Sequence, residues 1–179
     1  MRTTLRNLGT LIFLFLVLAL AGRPTPATAD DAHRPTTTIL SFDTMIGNPG
    51  NGDPANVIRG FAGAGSPWGF LRSVHGLLRS NGQLIVIVRG LVITAGADKD
   101  QNPVPQFRAA LSCQDPTDPN QGQLFFTELV PATTGNGAGD ANIVGRLQLP
   151  ASCFAPLILV TSPPSAASPD GAWFAVTGF

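Results

Sequence analysis

The chain of 179 residues carries 11 basic and 11 acidic side chains, is 44% hydrophobic and only 12% charged, and contains 20 glycines and 16 prolines. A charged share about half the ordinary quarter, with so much Gly and Pro, excludes coiled coils, long surface helices and charged disordered tails. Lys99 is the only lysine, so no concentrated positive field exists to draw nucleic acid or an anionic lipid surface, and nucleic acid is not an expected partner.

In chain order the first signal is a leader. Arg2 and Arg6 precede the apolar run Leu11 to Leu20, then come Gly22, Pro24 and Pro26, and then Ala27-Thr28-Ala29. A basic start, an apolar stretch of about ten residues and an A-x-A site are the parts of a secretory signal peptide, and the run is too short to span a membrane as a helix. Residues 1–29 are therefore read as a signal peptide cut after Ala29, leaving 150 residues with eight basic and eleven acidic side chains. No Cys adjoins the leader to accept a lipid, and no later run approaches membrane length. Residues 30–36 read as a flexible mature N-terminus and 37–179 as one domain. The expected location is secreted, periplasmic or extracellular, with no transmembrane helix after cleavage.

The mature chain is a series of short apolar runs rich in β-branched and aromatic residues, each bounded by Gly, Pro, Asn or Asp. Strands are predicted at Thr37 to Ile46, Asn56 to Ala62, Trp68 to Arg79, Gln83 to Thr94, Val104 to Cys113, Gln123 to Pro131, Asn142 to Leu149, Phe154 to Thr161 and Ala172 to Phe179. No stretch keeps a 3.6-residue period, and the connections are too short for the helical crossovers of a parallel sheet. The fold class is thus all-β, an antiparallel β-sandwich of about eight to nine short strands with one disulfide.

Ser80-Asn81-Gly82-Gln83 marks a hairpin. Asn-Gly as a two-residue type I′ loop sets Ser80 opposite Gln83, Leu77 opposite Val86 and His75 opposite Val88. This register sends His75, Leu77, Val86 and Val88 to the core. It leaves Val74, Gly76 and Leu78 outside with Arg72, Ile85, Ile87, Arg89 and Leu91, and those last five form the candidate partner face. Gly90 predicts a bulge beyond which the register changes.

Cys113 and Cys153 are the only cysteines, and an even pair in an exported chain reads as a disulfide. It closes a loop of about 41 residues, for which chain entropy gives on the order of 4 kcal/mol. Without CxxC spacing, and with only His33 and His75 to help, zinc lacks ligands.

The remaining constellations read as structural. His75 has no orienting carboxylate by spacing and is read as a half-buried packing residue. Ser66, in Ala64-Gly65-Ser66-Pro67-Trp68, lacks both glycines of the nucleophile elbow, so a secreted hydrolase using Ser66 and His75 is only the alternative to a chain with no catalytic residues. Carboxylates form no glycosidase pair. Asp98, Asp100 and Asn102 imitate the opening of an EF-hand loop, but Pro103 stands at the turn glycine and Ala109 at the bidentate position. They read first as turn residues; a weak Ca2+ site there is the alternative to a chain with no cofactor and no metal. Trp68 and Trp173 read as core, and strands apolar on both faces do not suit a membrane barrel with a polar lumen.

Pro67-Trp68, Arg89-Gly90-Leu91-Val92, Asn102-Pro103-Val104-Pro105-Gln106-Phe107, Ser112-Cys113, Leu149-Pro150, Cys153, Ala155-Pro156 and the closing Trp173-Phe174-Ala175-Val176-Thr177-Gly178-Phe179 resemble small secreted bacterial β-rich proteins of uncharacterised function. The resemblance covers most of the mature chain. It implies a bacterial exported β domain with one disulfide and brings no catalytic residue to transfer. The reading is a secreted, non-catalytic envelope or extracellular module that binds a protein or glycan partner.

Overall fold

The computed structural model describes residues 35–50 and 56–177. The leader, its cleavage site and residues 30–34 of the expected mature N-terminus lie outside the described residues, as do 51–55 and the last two positions of the final run. Among the described residues every regular element is a strand. They are β1 (Thr38–Phe42), β2 (Met45–Gly47), β3 (Val57–Ile58), β4 (Phe61–Ala62), β5 (Trp68–Phe70), β6 (Val74–Arg79), β7 (Gln83–Val88) and β8 (Leu91–Ile93). The second half adds β9 (Gln101–Asn102), β10 (Gln106–Gln114), β11 (Gly122–Phe126), β12 (Val130–Pro131), β13 (Gly135–Asn136), β14 (Ala141–Arg146), β15 (Phe154–Thr161) and β16 (Trp173–Thr177). Each expected run contributes a strand, and the long ones divide at bends and turns.

A four-stranded sheet runs β1-β6-β7-β14, and a six-stranded sheet runs β11-β10-β15-β16-β2 with β12 also paired to β10. Their ladders are antiparallel. Val74, Leu78, Leu84, Val86, Val88 and Ile143 of the smaller sheet share one buried cluster with Phe107, Leu111, Ile158, Val160 and Phe174 of the larger. Two inner faces meeting over a common core make a sandwich. Ala110, Leu157, Leu159, Trp173 and Val176 of the larger sheet turn the other way, share that side with Leu124 and Phe126 of β11, and are covered by Phe61 and Ile58 of the β3–β4 hairpin. Burial on both faces explains why β10 and β15 show apolar runs without alternation.

Cys113 and Cys153 are joined, with Cα atoms 4.9 Å apart, so the end of β10 is stapled to the segment that leads into β15. Cys113 is buried and Cys153 packs against the main core.

The hairpin corrects the expected register. Ser80, Asn81 and Gly82 together form the loop, and the pairs are His75 with Ile87, Leu77 with Ile85 and Leu78 with Leu84. Gly82 alone takes the positive φ, 82°, while its N–H donates to the Arg79 carbonyl at 2.9 Å. The Asn81 Oδ1 accepts from the Gln83 N–H at 3.0 Å. A type I turn closed by a left-handed glycine replaces the two-residue loop, and the one-residue slip reverses both faces of β6. Val74 and Leu78 are buried, whereas His75 is exposed instead of packing in the core. Gly76 lies between Val74 and Leu78 on the inward side, where a Cβ would meet the Ile85 carbonyl and the Phe42 ring. Beyond Gly90, at φ 71°, the register shifts again so that Phe70 meets Leu91. That shift turns Leu91 into the core at 0% exposure, which removes it from the expected outer face.

Ile143 and Val144 are neighbours on β14 at 0% and 57% exposure. Ile143→Ala is expected to lose about 2–5 kcal/mol in urea unfolding, and Val144→Ala to stay within about 0.5 kcal/mol. Replacing both cysteines by serine is expected to cost on the order of 4 kcal/mol, read as a melting temperature lower by about 10 °C.

Candidate functional site

The smaller sheet has one face on the core and one that no element among the described residues covers. Cross-strand pairing sets Leu77 beside Ile85 and Ile85 beside Val144, and sets His75 beside Ile87 and Ile87 beside Asn142. Leu77, Ile85, Ile87 and Val144 belong to neither buried cluster, so they form an apolar row on the outside of the sandwich.

Guanidinium groups flank the row. Arg79 donates from Nη1 to the Gln83 Oε1 at 3.0 Å, and Arg146 donates from Nε to the Asn81 carbonyl at 3.1 Å. Arg89 donates to the carbonyls of Val88 and Ala141 at 2.7 and 3.2 Å and to Asn142 Oδ1 at 2.8 Å. All these acceptors are neutral, and β1, β6, β7 and β14 contain no Asp or Glu. The arginines are thus oriented without being neutralised, which leaves a positive rim around an apolar strip.

Of the five expected face residues, Ile85, Ile87 and Arg89 come together. Arg72 instead sits in the bend between β5 and β6, donates to the Gly137 carbonyl at 3.2 Å, and forms with Asp140 the one ion pair among the described residues. Asp140 also accepts from the Gly90 N–H at 2.7 Å, so this pair clamps the bend to the segment before β14. Leu91 is buried beneath. The residues missed were Leu77, His75, Arg79, Val144 and Arg146. Those of β14 carry a readable signal, since Asn142, Val144 and Arg146 alternate with Ala141 and Ile143.

Ser66 is exposed in the bend before β5 and His75 is exposed mid-strand in β6; among the described residues no hydrogen bond joins them. Asp98 and Asp100 lie in the connection from β8 to β9, and Asn102 is the last residue of β9. The Asp98 carbonyl accepts from the Gln101 N–H at 3.0 Å, and the Asp100 N–H donates to the Ile93 carbonyl at 2.8 Å. Asn102 is 1% exposed; its Oδ1 accepts from the Val104 N–H at 2.9 Å, and its Nδ2 donates to the carbonyls of Val104 at 3.0 Å and Thr133 at 2.6 Å. Its side chain therefore bolts two loops together. Among the described residues no three His, Cys, Asp or Glu side chains gather as a metal cluster, and no helix is long and apolar enough to cross a membrane.

Comparison of the chain with known protein families, with curated proteins and with solved structures finds no match.

Asn102→Ala removes all three of these bonds and leaves the Val104 N–H and carbonyl without that partner, while the Thr133 carbonyl keeps the Gly139 N–H. The expected loss is about 1–3 kcal/mol in denaturant unfolding, and a loss below about 0.5 kcal/mol would contradict the bolt.

Proposed function

We propose that the protein is an exported, non-catalytic module of a bacterial envelope or extracellular matrix, whose open sheet face docks a protein partner with an acidic surface. The observation that carries the reading is the apolar row Leu77, Ile85, Ile87 and Val144, rimmed by Arg79, Arg89 and Arg146, none of which forms an ion pair among the described residues. Protein interfaces favour an apolar centre with arginine and few acidic groups, and complementary charge speeds and orients docking. An acidic partner supplies what this surface lacks.

A protein fits this face better than a neutral glycan. Sugar rings stack on aromatic side chains, and β6, β7 and β14 contain none, while Phe42 of β1 packs inward over Gly76. The leader motif supports export, and the Cys113–Cys153 bond suits an oxidising compartment. The non-catalytic reading is supported by His75, which stands on the sheet face without an orienting carboxylate on its own or neighbouring strands.

A photo-reactive residue at Val144 is expected to cross-link an acidic protein in the producing cell, while the same residue at exposed Ala167 does not. Val144→Glu together with Arg146→Glu should weaken that association about tenfold or more. Capture of a glycan instead, or equal cross-linking from both positions, would contradict the proposal.

A further inference from the structure

On the larger sheet, away from the open face, a cleft of about 750 Å3 lies between the β3–β4 turn, the loop from β10 to β11 and the start of β15. Val57, Ile58 and Leu157 supply apolar wall, while Arg59, Asn120 and Gln121 supply polar groups. This size falls within the range of about 300–1,000 Å3 typical of small-molecule sites.

The backbone around the cleft is unusual. Among the described residues only Arg59, Asp100 and Ala155 are non-glycine residues at positive φ, and Arg59 (50°) and Ala155 (42°) both line it. Each such residue costs on the order of 1 kcal/mol, and strain of this kind clusters where a ligand is held. The strain aims Arg59 across the larger sheet, where Nη1 donates to the Ser112 carbonyl at 3.1 Å and Nη2 to Gln114 Oε1 at 3.5 Å. Gly122 permits this path, because a Cβ there would press on the Arg59 side chain. No carboxylate among the described residues pairs with the guanidinium, and its partial burial lowers its affinity for a proton. A partly desolvated cation held only by neutral oxygens keeps donors free for an anion.

The facing loop is built in advance. Asp115 Oδ1 accepts from the Thr117 N–H at 2.7 Å and its hydroxyl at 2.6 Å, and these bonds hold the Asp115 carboxyl below the usual range. Asp118 Oδ1 accepts from the Asn120 N–H at 2.9 Å, and the Gln121 N–H donates to the Asp118 carbonyl at 3.0 Å. Two carboxylates in that loop disfavour a dianionic phosphate. A single guanidinium instead matches the planar fork of one carboxylate.

We propose that this cleft binds a small amphipathic carboxylate, its carboxylate on Arg59 and its apolar part against Val57, Ile58 and Leu157. The site does not depend on partner docking at the open sheet face, and either can fail alone.

The test titrates the isotope-labelled, disulfide-bonded protein with octanoate, octanamide and acetate, following amide and arginine resonances. Octanoate is expected to shift Arg59, Gly60, Asn120, Gln121 and Leu157 saturably, and to bind about tenfold or more tightly than either control. Arg59→Gln should weaken octanoate at least about tenfold, and Arg59→Lys should restore part of the binding. Should Arg59→Gln fail to fold, Val57→Glu carries the same test: Val57 is 44% exposed, and a carboxylate at the rim should weaken octanoate to a similar degree. Equal binding of octanamide, shifts outside the cleft, or unchanged octanoate binding in the variant would overturn the site.

Discussion

Burial of both faces of β10 and β15 is the constraint from which the rest of the structure follows. A sheet with apolar side chains above and below must be covered twice. The smaller sheet covers one side, and the β3–β4 hairpin covers the other. A buried polar knot holds that second cover in place. Asn48 Nδ2 donates to the carbonyls of Trp173 at 2.9 Å and Ala64 at 3.0 Å, Asn56 donates to Asn48 Oδ1, and the Trp173 Nε1–H donates to the Asn56 carbonyl at 3.1 Å. These bonds tie the two amides to the backbone of three segments, although the buried Asn56 Oδ1 itself has no partner among the described residues. With the middles of β10 and β15 enclosed, the outer face of the smaller sheet is left uncovered among the described residues.

Strand positions and the disulfide were legible because each rests on a local or compositional signal. Apolar runs end at Gly, Pro, Asn and Asp, and two cysteines leave one possible pairing. Register was not legible in the hairpin. Both faces of β6 and β7 are apolar, so alternation did not choose between Leu77 opposite Val86 and Leu77 opposite Ile85. What chose was the loop geometry at Gly82, which packs against the Leu147 backbone, and the Phe42 ring over Gly76. Both are contacts between segments far apart in sequence. Arg72 and Leu91 were assigned to the outer face for the same reason, since the bend at Arg72 and the shift at Gly90 change which way the following side chains point.

The cleft was harder still to read. Its lining comes from the β3–β4 turn, the β10–β11 loop and β15, and nothing local ties those stretches together. Arg59 and Ala155 carry no sequence signal for a left-handed backbone, unlike glycine or asparagine. The two surfaces divide the chemistry of the protein. Arginines beside apolar rows recur on both, held by neutral acceptors, while most carboxylates of the described residues sit in loops.

The register of the β6–β7 hairpin decides which side chains make the open face, so cross-strand NOEs along it test the account most directly. Contacts of Val74 with Val88 and of Leu78 with Leu84 are predicted, which turn Leu77, Ile85 and Ile87 outward. Contacts of His75 with Val88 and of Leu77 with Val86 would place the hairpin one residue out of step, bury His75 and contradict the proposed surface.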